Sequence, residues 1–235
     1  TTLDGLTNIL QIMIEGFNIT IRNSYFVDLH TLEILILKYN NVRELSRVTF
    51  IGLKRLHTLD LSKNQISSVG AGVFGAVCGT DFTPTCANLT RLSKFCNNSY
   101  ALENLEYLNL ANNYISSIHN QAFLGCNTLK SLKLNHDEIG TLDFIYLPEL
   151  MIIQLEASNI YNFTNTTFMC TLALEEVSFY SAYVEGMEIS PFKHLKYLKR
   201  LFLPYKSCDC NYRNILKWMR NRNILYRYPK LFAVF

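Results

Sequence analysis

Leu105-Glu-Tyr-Leu108-Asn-Leu110-Ala-Asn-Asn113-Tyr-Ile115 is the stretch that decides the fold of this chain. Two earlier stretches share its frame: Leu32, Leu35, Leu37, Asn40, Val42, and then Leu56, Leu59, Leu61, Asn64, Ile66. Aligning first positions extends the frame to Ile9, Leu32, Leu56, Leu105, Leu129, Leu150, Leu174 and Leu198. The steps between them are 23, 24, 49, 24, 21, 24 and 24 residues. Weaker copies keep the apolar positions and vary the polar one, with Phe17, Asp137, Ser158 and Ala182 standing where asparagine is expected.

Each Leu-x-Leu element predicts one short strand whose leucines point inward and whose middle residue points outward. One such strand cannot bury its apolar side alone, so the copies must stack and share a core. A second apolar cluster closes each coil on the far side: Leu45, Phe50 and Leu53; Val69 and Phe74; Ile118 and Phe123; Phe163 and Phe168; Ile189, Phe192 and Leu195. The asparagines are suited to bond backbone groups left unpaired where strand becomes loop. A period in the low twenties with this consensus predicts an α/β leucine-rich repeat solenoid. The expected shape is a horseshoe with parallel strands on the concave face, short helical or irregular convex segments, and a C-terminal cap.

Residues 1–203 read as about eight repeats, and 204–235 as a partial C-terminal cysteine-rich cap. Pro204 ends the last strand, Cys208-Asp-Cys210 follows, and Ile215, Leu216, Trp218 and Met219 recur at helical spacing. No capping motif precedes the first repeat, and no later cysteines complete the cap. The chain is therefore expected to be part of a longer protein. The 49-residue step from Leu56 to Leu105 fits either a degenerate extra repeat or one repeat with an inserted loop. The stretch 78–104 favours the loop: it carries three cysteines, two glycosylation sequons and Pro84, and no Leu-x-Leu.

Hydrophobic residues make up 49% of the 235 positions and charged residues 17%, which excludes general disorder. A net charge of +3 is too small to imply nucleic-acid or membrane binding by itself. No apolar run approaches the roughly 18 residues that would span a bilayer. Five Asn-x-Ser/Thr sequons begin at Asn18, Asn88, Asn97, Asn162 and Asn165, all outside the Leu-x-Leu strands. They point to a glycosylated extracellular or lumenal protein.

Seven cysteines fit the same oxidising compartment. Cys78, Cys86, Cys96, Cys208 and Cys210 are the disulfide candidates. A Cys78–Cys86 or a Cys86–Cys96 bridge would tie down the inserted loop, and sequence does not choose the pairing. Cys126 and Cys170 occupy repeat positions, where a buried free thiol is a common filler. No histidine stands at ligand spacing near either cysteine cluster, so no metal site is expected.

The repeats, the phenylalanine about ten residues after each asparagine, and the run Pro204-Tyr-Lys-Ser-Cys208-Asp-Cys210-Asn-Tyr-Arg-Asn-Ile-Leu-Lys-Trp218 resemble the membrane-proximal end of a Toll-like receptor ectodomain. The resemblance implies a single-pass membrane receptor of innate immunity, facing the cell exterior or an endosomal lumen. It implies a microbial ligand (nucleic acid, protein or lipid) and a homodimer or heterodimer of receptors that triggers signalling. The membrane would be reached through a transmembrane helix that this sequence does not contain.

Concave-side residues in frame include Met13, Ile36, Asp60, Asn109, Lys133, Gln154, Ser178 and Phe202. Along the adjoining edge lie Tyr39, Lys63, Asn112, His136, Glu156, Tyr180 and Tyr205. Aromatic residues are over-represented at binding hot spots. The expected ligand or dimer surface is therefore Tyr39, Lys63, Asn112, Lys133, His136, Glu156, Tyr180, Phe202 and Tyr205. A cell-adhesion or matrix repeat protein binding another protein is the competing class. No catalytic triad, phosphate-cradling glycine motif or metal quartet appears, so neither catalysis nor a cofactor is expected.

Overall fold

The computed structural model describes residues 6–78, 96–97, 101–140, 142, 146–161, 163–204 and 212–227. Among these, nine three-residue strands form one sheet: Gln11–Met13, Ile34–Ile36, Thr58–Asp60, Tyr107–Asn109, Ser131–Lys133, Ile152–Gln154, Glu176–Ser178, Arg200–Phe202 and Leu225–Arg227. Every pairing is parallel and joins neighbours in chain order, as a coil of similar turns requires. The register aligns the second apolar position of each frame: Ile12, Leu35, Leu59, Leu108, Leu132, Ile153, Val177 and Leu201 are the strand centres, and all are buried.

The convex side is closed by a spine of rings. Phe26, Phe50, Phe74 and Phe123 stack in turn at centroid distances of 6.2, 5.8 and 5.5 Å. Further along, Phe163, Phe168, Phe179 and Phe192 pack together, with Phe168 and Phe192 at 5.7 Å. Rings of adjacent repeats touch because each turn places its phenylalanine at the same height, so the core is continuous along the solenoid.

Strand Thr58–Asp60 pairs directly with Tyr107–Asn109, so the 49-residue step adds one strand to the sheet, like every other step. Within that step Val77–Cys78 pairs antiparallel with Cys96–Asn97. This hairpin-like contact sets Cys78 opposite Cys96, and the two form a disulfide. Both pairings expected from sequence used Cys86 and are corrected by this register; Cys86 itself lies outside the described residues. Cys170 is a second correction: it is disulfide-bonded rather than a free filler. It packs beside Cys78, Cys96 and Leu124. Cys126 does have the filler role, as a buried free thiol whose Sγ donates to the Phe74 carbonyl at 3.1 Å. Burial pushes that thiol up to about 12.

The C-terminal segment covers the end of the coil. Helix Tyr212–Asn221 buries Ile215 and Met219 against the last repeat, and Trp218 is half-buried beside them. Arg222 lies over the Trp218 ring at 5.5 Å and donates to the Lys193 carbonyl at 3.3 Å. Strand Leu225–Arg227 then returns the chain to the sheet as its ninth strand, with Tyr226 opposite Leu201. Cys208 and Cys210 lie outside the described residues. Among the described residues no helix is long and apolar enough to cross a membrane.

Candidate functional site

A ladder of side-chain amides fixes the edge where strands turn into loops. Asn64 donates from Nδ2 to the carbonyls of Leu37 and Leu61, both at 2.9 Å, while its Oδ1 accepts from the Val42 N–H at 3.0 Å. Asn113 repeats this with Leu61, Leu110 and the Ile66 N–H. Asn40 does so with Ile14, Leu37, Phe17 and Ile19. Phe17, which replaces the asparagine of the first frame, is exposed and lends its N–H to Asn40.

The residue just before each ladder position is held in the left-handed region. Tyr39, Lys63, Asn112, His136, Ala157 and Ser181 have φ of 58°, 55°, 59°, 62°, 53° and 59°. Side chains rarely adopt this conformation outside glycine. Here it is enforced from both sides. The Asn rungs pin the next residue, and the positive-φ N–H donates to the following repeat, Tyr39 to Ser62 O and Lys63 to Ala111 O at 3.0 and 2.9 Å. The side chains of Tyr39, Lys63, Asn112 and His136 therefore leave the backbone in one direction, one repeat apart.

The structure thus brings four of the expected surface residues into one exposed row. Glu156 and Tyr180 are displaced from it by one position, because Ala157 and Ser181 take the left-handed place in their repeats. Glu156 turns toward the concave face and accepts from Ser178 Oγ at 2.7 Å. Tyr180 stacks under Arg227, whose guanidinium lies 5.4 Å from the ring. Lys133 and Phe202 end their strands on the concave side, half-buried. Tyr205 lies outside the described residues, as do Asn88 and Asn162. Asn18 and Asn165 are exposed.

The row's first members border an open groove of about 530 Å³ lined by Gly16, Asn18, Tyr39, Lys63, Gln65, Asn112 and Tyr114, together with the buried Asn40 and Asn64. Lys63 Nζ stands 6.0 Å from the Tyr39 ring centre, and Tyr39 and Tyr114 are 62% and 69% exposed. No carboxylate lines the groove among the described residues. It offers two aromatic faces, several amide groups and one ammonium. That set suits a planar or anionic partner and has no nucleophile–base pair for chemistry. Tyr114 escaped sequence reading as a surface residue, and Asn18 stood out there only for its sequon. Tyr114 follows a ladder asparagine directly and so faces the same side as the row. Among the described residues no group of three or more His, Cys, Asp or Glu is placed to hold a metal ion.

Comparison with known proteins places this architecture. A family model described as "Leucine rich repeat" matches residues 4–74 and 85–139. Toll-like receptor 3 of Bos taurus is 34% identical over 140 residues, and that of Boselaphus tragocamelus 33% over 140 residues. Each match covers 58% of this chain and 14% of the relative, so the chain matches a small part of those proteins. Among solved structures, a TLR13-ssRNA13 complex aligns with a TM-score of 0.65 and 24% identity, covering 86% of this chain and 26% of that one. The last likeness is one of fold.

Proposed function

From a chain that belongs to the leucine-rich repeat family and resembles Toll-like receptor ectodomains, we propose a segment of an innate immune pattern-recognition receptor that binds a microbial ligand and dimerises to trigger signalling. The observation that carries the binding role is the row of left-handed residues with its groove, where Tyr39, Lys63 and Tyr114 present rings and a cation on a rigid scaffold. Solenoids offer extended surfaces of this kind to large partners.

The ligand class we propose is single-stranded nucleic acid. Exposed tyrosines stack bases regardless of sequence, and a lysine beside them meets phosphate. The solved neighbour is itself a complex with ssRNA. In this reading the chain is a binding module and not an enzyme. It is held at the cell surface or in an endosomal lumen by a membrane anchor elsewhere in the full protein.

Fluorescence anisotropy with a labelled single-stranded RNA oligonucleotide tests the proposal. Binding should weaken modestly with salt, as one phosphate contact implies, and Lys63→Ala and Tyr39→Ala should each lower affinity by about tenfold. RNA binding that is absent, or unchanged in both variants, overturns the assignment. Binding to a protein partner in its place would support the adhesion class.

A further inference from the structure

Asp137 stands where Asn40, Asn64 and Asn113 stand in earlier repeats. Each of those asparagines accepts backbone N–H groups with Oδ1 and donates to leucine or isoleucine carbonyls with Nδ2. Asp137 keeps the first function, since its Oδ1 accepts from the Ile115 N–H at 3.0 Å. Its Oδ2 takes the place of the amide nitrogen, and it is buried with no hydrogen-bond partner. In the asparagine rungs that atom points at two or three carbonyl oxygens, so an ionised carboxylate there meets acceptors instead of donors. A protonated carboxyl carries one O–H and can satisfy one of them.

The surroundings do little to favour the charge. Toward the preceding repeat Asp137 meets the backbone N–H groups of Asn113 and Ile115. Toward the following one, its own N–H donates to Ser158 Oγ at 3.3 Å, and that hydroxyl donates onward to the Leu134 carbonyl at 2.8 Å. The titratable neighbours in sequence, His136 and Glu138, are exposed, and Glu156 of the next repeat is engaged by Ser178. Burial raises the Asp137 carboxyl to about 7, opposed by the backbone N–H groups of Ile115 and Asn113. Among the described residues no charged side chain contributes.

We infer that Asp137 is a proton-operated rung of the ladder: protonated, it donates to a leucine carbonyl and closes the contact between its repeat and the one before; ionised, it leaves that contact open. The sign follows from linkage. A carboxyl whose folded pKa lies above its unfolded value of about 3.9 stabilises fully below that value. This stability declines as pH rises toward about 7 and is level beyond it. The decline is about tenfold in the folding equilibrium per pH unit. The solenoid is thus firmer, beneath the Asn112 and His136 side chains, in a mildly acidic compartment than at neutral pH. This inference stands without the nucleic-acid reading.

Amide hydrogen exchange across pH 4.5 to 8 in the intact protein and in Asp137→Asn tests it. After correction for intrinsic exchange, protection of the Ile115 N–H in the wild type should fall at least tenfold between the acidic and neutral ends. In Asp137→Asn, which restores the amide, protection should stay flat at the acidic wild-type level. The transplant Asn113→Asp should confer a similar fall on the Ile66 N–H. Parallel profiles in wild type and Asp137→Asn overturn the inference. Failure of Asp137→Asn to fold also overturns it, because the other rungs fold with an amide at this place.

Discussion

Asn64 reaches back 27 residues to bond the Leu37 carbonyl at 2.9 Å, and in doing so it joins two turns of the coil through one side chain. The same side chain satisfies Leu61 O and the Val42 N–H, all in a position only 4% exposed. Replacing it strands the buried Val42 N–H and leaves the Leu37 and Leu61 carbonyls to the amides of Asn40 and Asn113 alone. Asn64→Ala should therefore cost about 2 kcal/mol, the penalty of leaving one such group unmet and two others with a single side-chain donor. Urea unfolding measures it. A loss below about 1 kcal/mol would mean that water replaces the amide and that the ladder is not a principal tie between repeats.

Legibility in the sequence followed the periodic part of the physics. The leucine frame located eight strand centres, from Ile12 to Leu201, because a period of about 24 residues and inward-pointing leucines are the same constraint written twice. The ninth strand, Leu225–Arg227, was not legible, since its centre is Tyr226 and its ends are exposed, with no leucine frame to mark it. The Cys78–Cys96 bridge escaped because it depends on an antiparallel contact that interrupts the repeat. Within the site, Tyr39, Lys63, Asn112 and His136 were placed on one edge from spacing alone. The one-residue offset of Glu156 and Tyr180 was legible as well, since counting seven residues from Leu150 and Leu174 reaches Ala157 and Ser181, the residues before Ser158 and Ala182.

Tyr39 offers a way to separate binding from folding. Its φ of 58° costs a tyrosine on the order of 1 kcal/mol that glycine would not incur. Glycine instead loses about that much through the freedom of the unfolded chain. Tyr39→Gly should leave thermal stability within about 1 kcal/mol of the wild type while removing the ring that borders the groove. RNA affinity should then drop as in Tyr39→Ala. A large fall in melting temperature would show that the ring serves packing rather than recognition.

The Cys78–Cys96 disulfide closes a loop with a sequence separation of 18. Constraining an unfolded loop of that size is worth about 3 kcal/mol in the chain-entropy account. The bridge lies outside the nine-stranded sheet, in which Leu59 pairs directly with Leu108. Cys78→Ser with Cys96→Ser should lower the urea midpoint by a corresponding amount and leave the far-ultraviolet circular dichroism unchanged. Loss of that spectrum would place the bridge among the conditions for coil formation.

Three glycines form a graded series. Gly140 has no left-handed φ and open space where a methyl group would go; Gly186 has φ +66° and equally open space; Gly52 has φ +95° and would place a Cβ 2.2 Å from the Val27 carbonyl oxygen. Gly140→Ala should be neutral or stabilising by up to about 1 kcal/mol, through the unfolded chain alone. Gly186→Ala adds left-handed strain and should cost about 1 kcal/mol. Gly52→Ala adds a clash with rigid backbone of the preceding repeat, so one turn must shift against the next. Its cost should exceed that of Gly186→Ala by at least about 2 kcal/mol, in the range of overpacked cores. Chemical denaturation of the three variants side by side checks the order. If Gly52→Ala matched Gly186→Ala, the spacing between adjacent turns would be soft, and the close stacking of Phe26 on Phe50 could not be what holds the repeats at their distance.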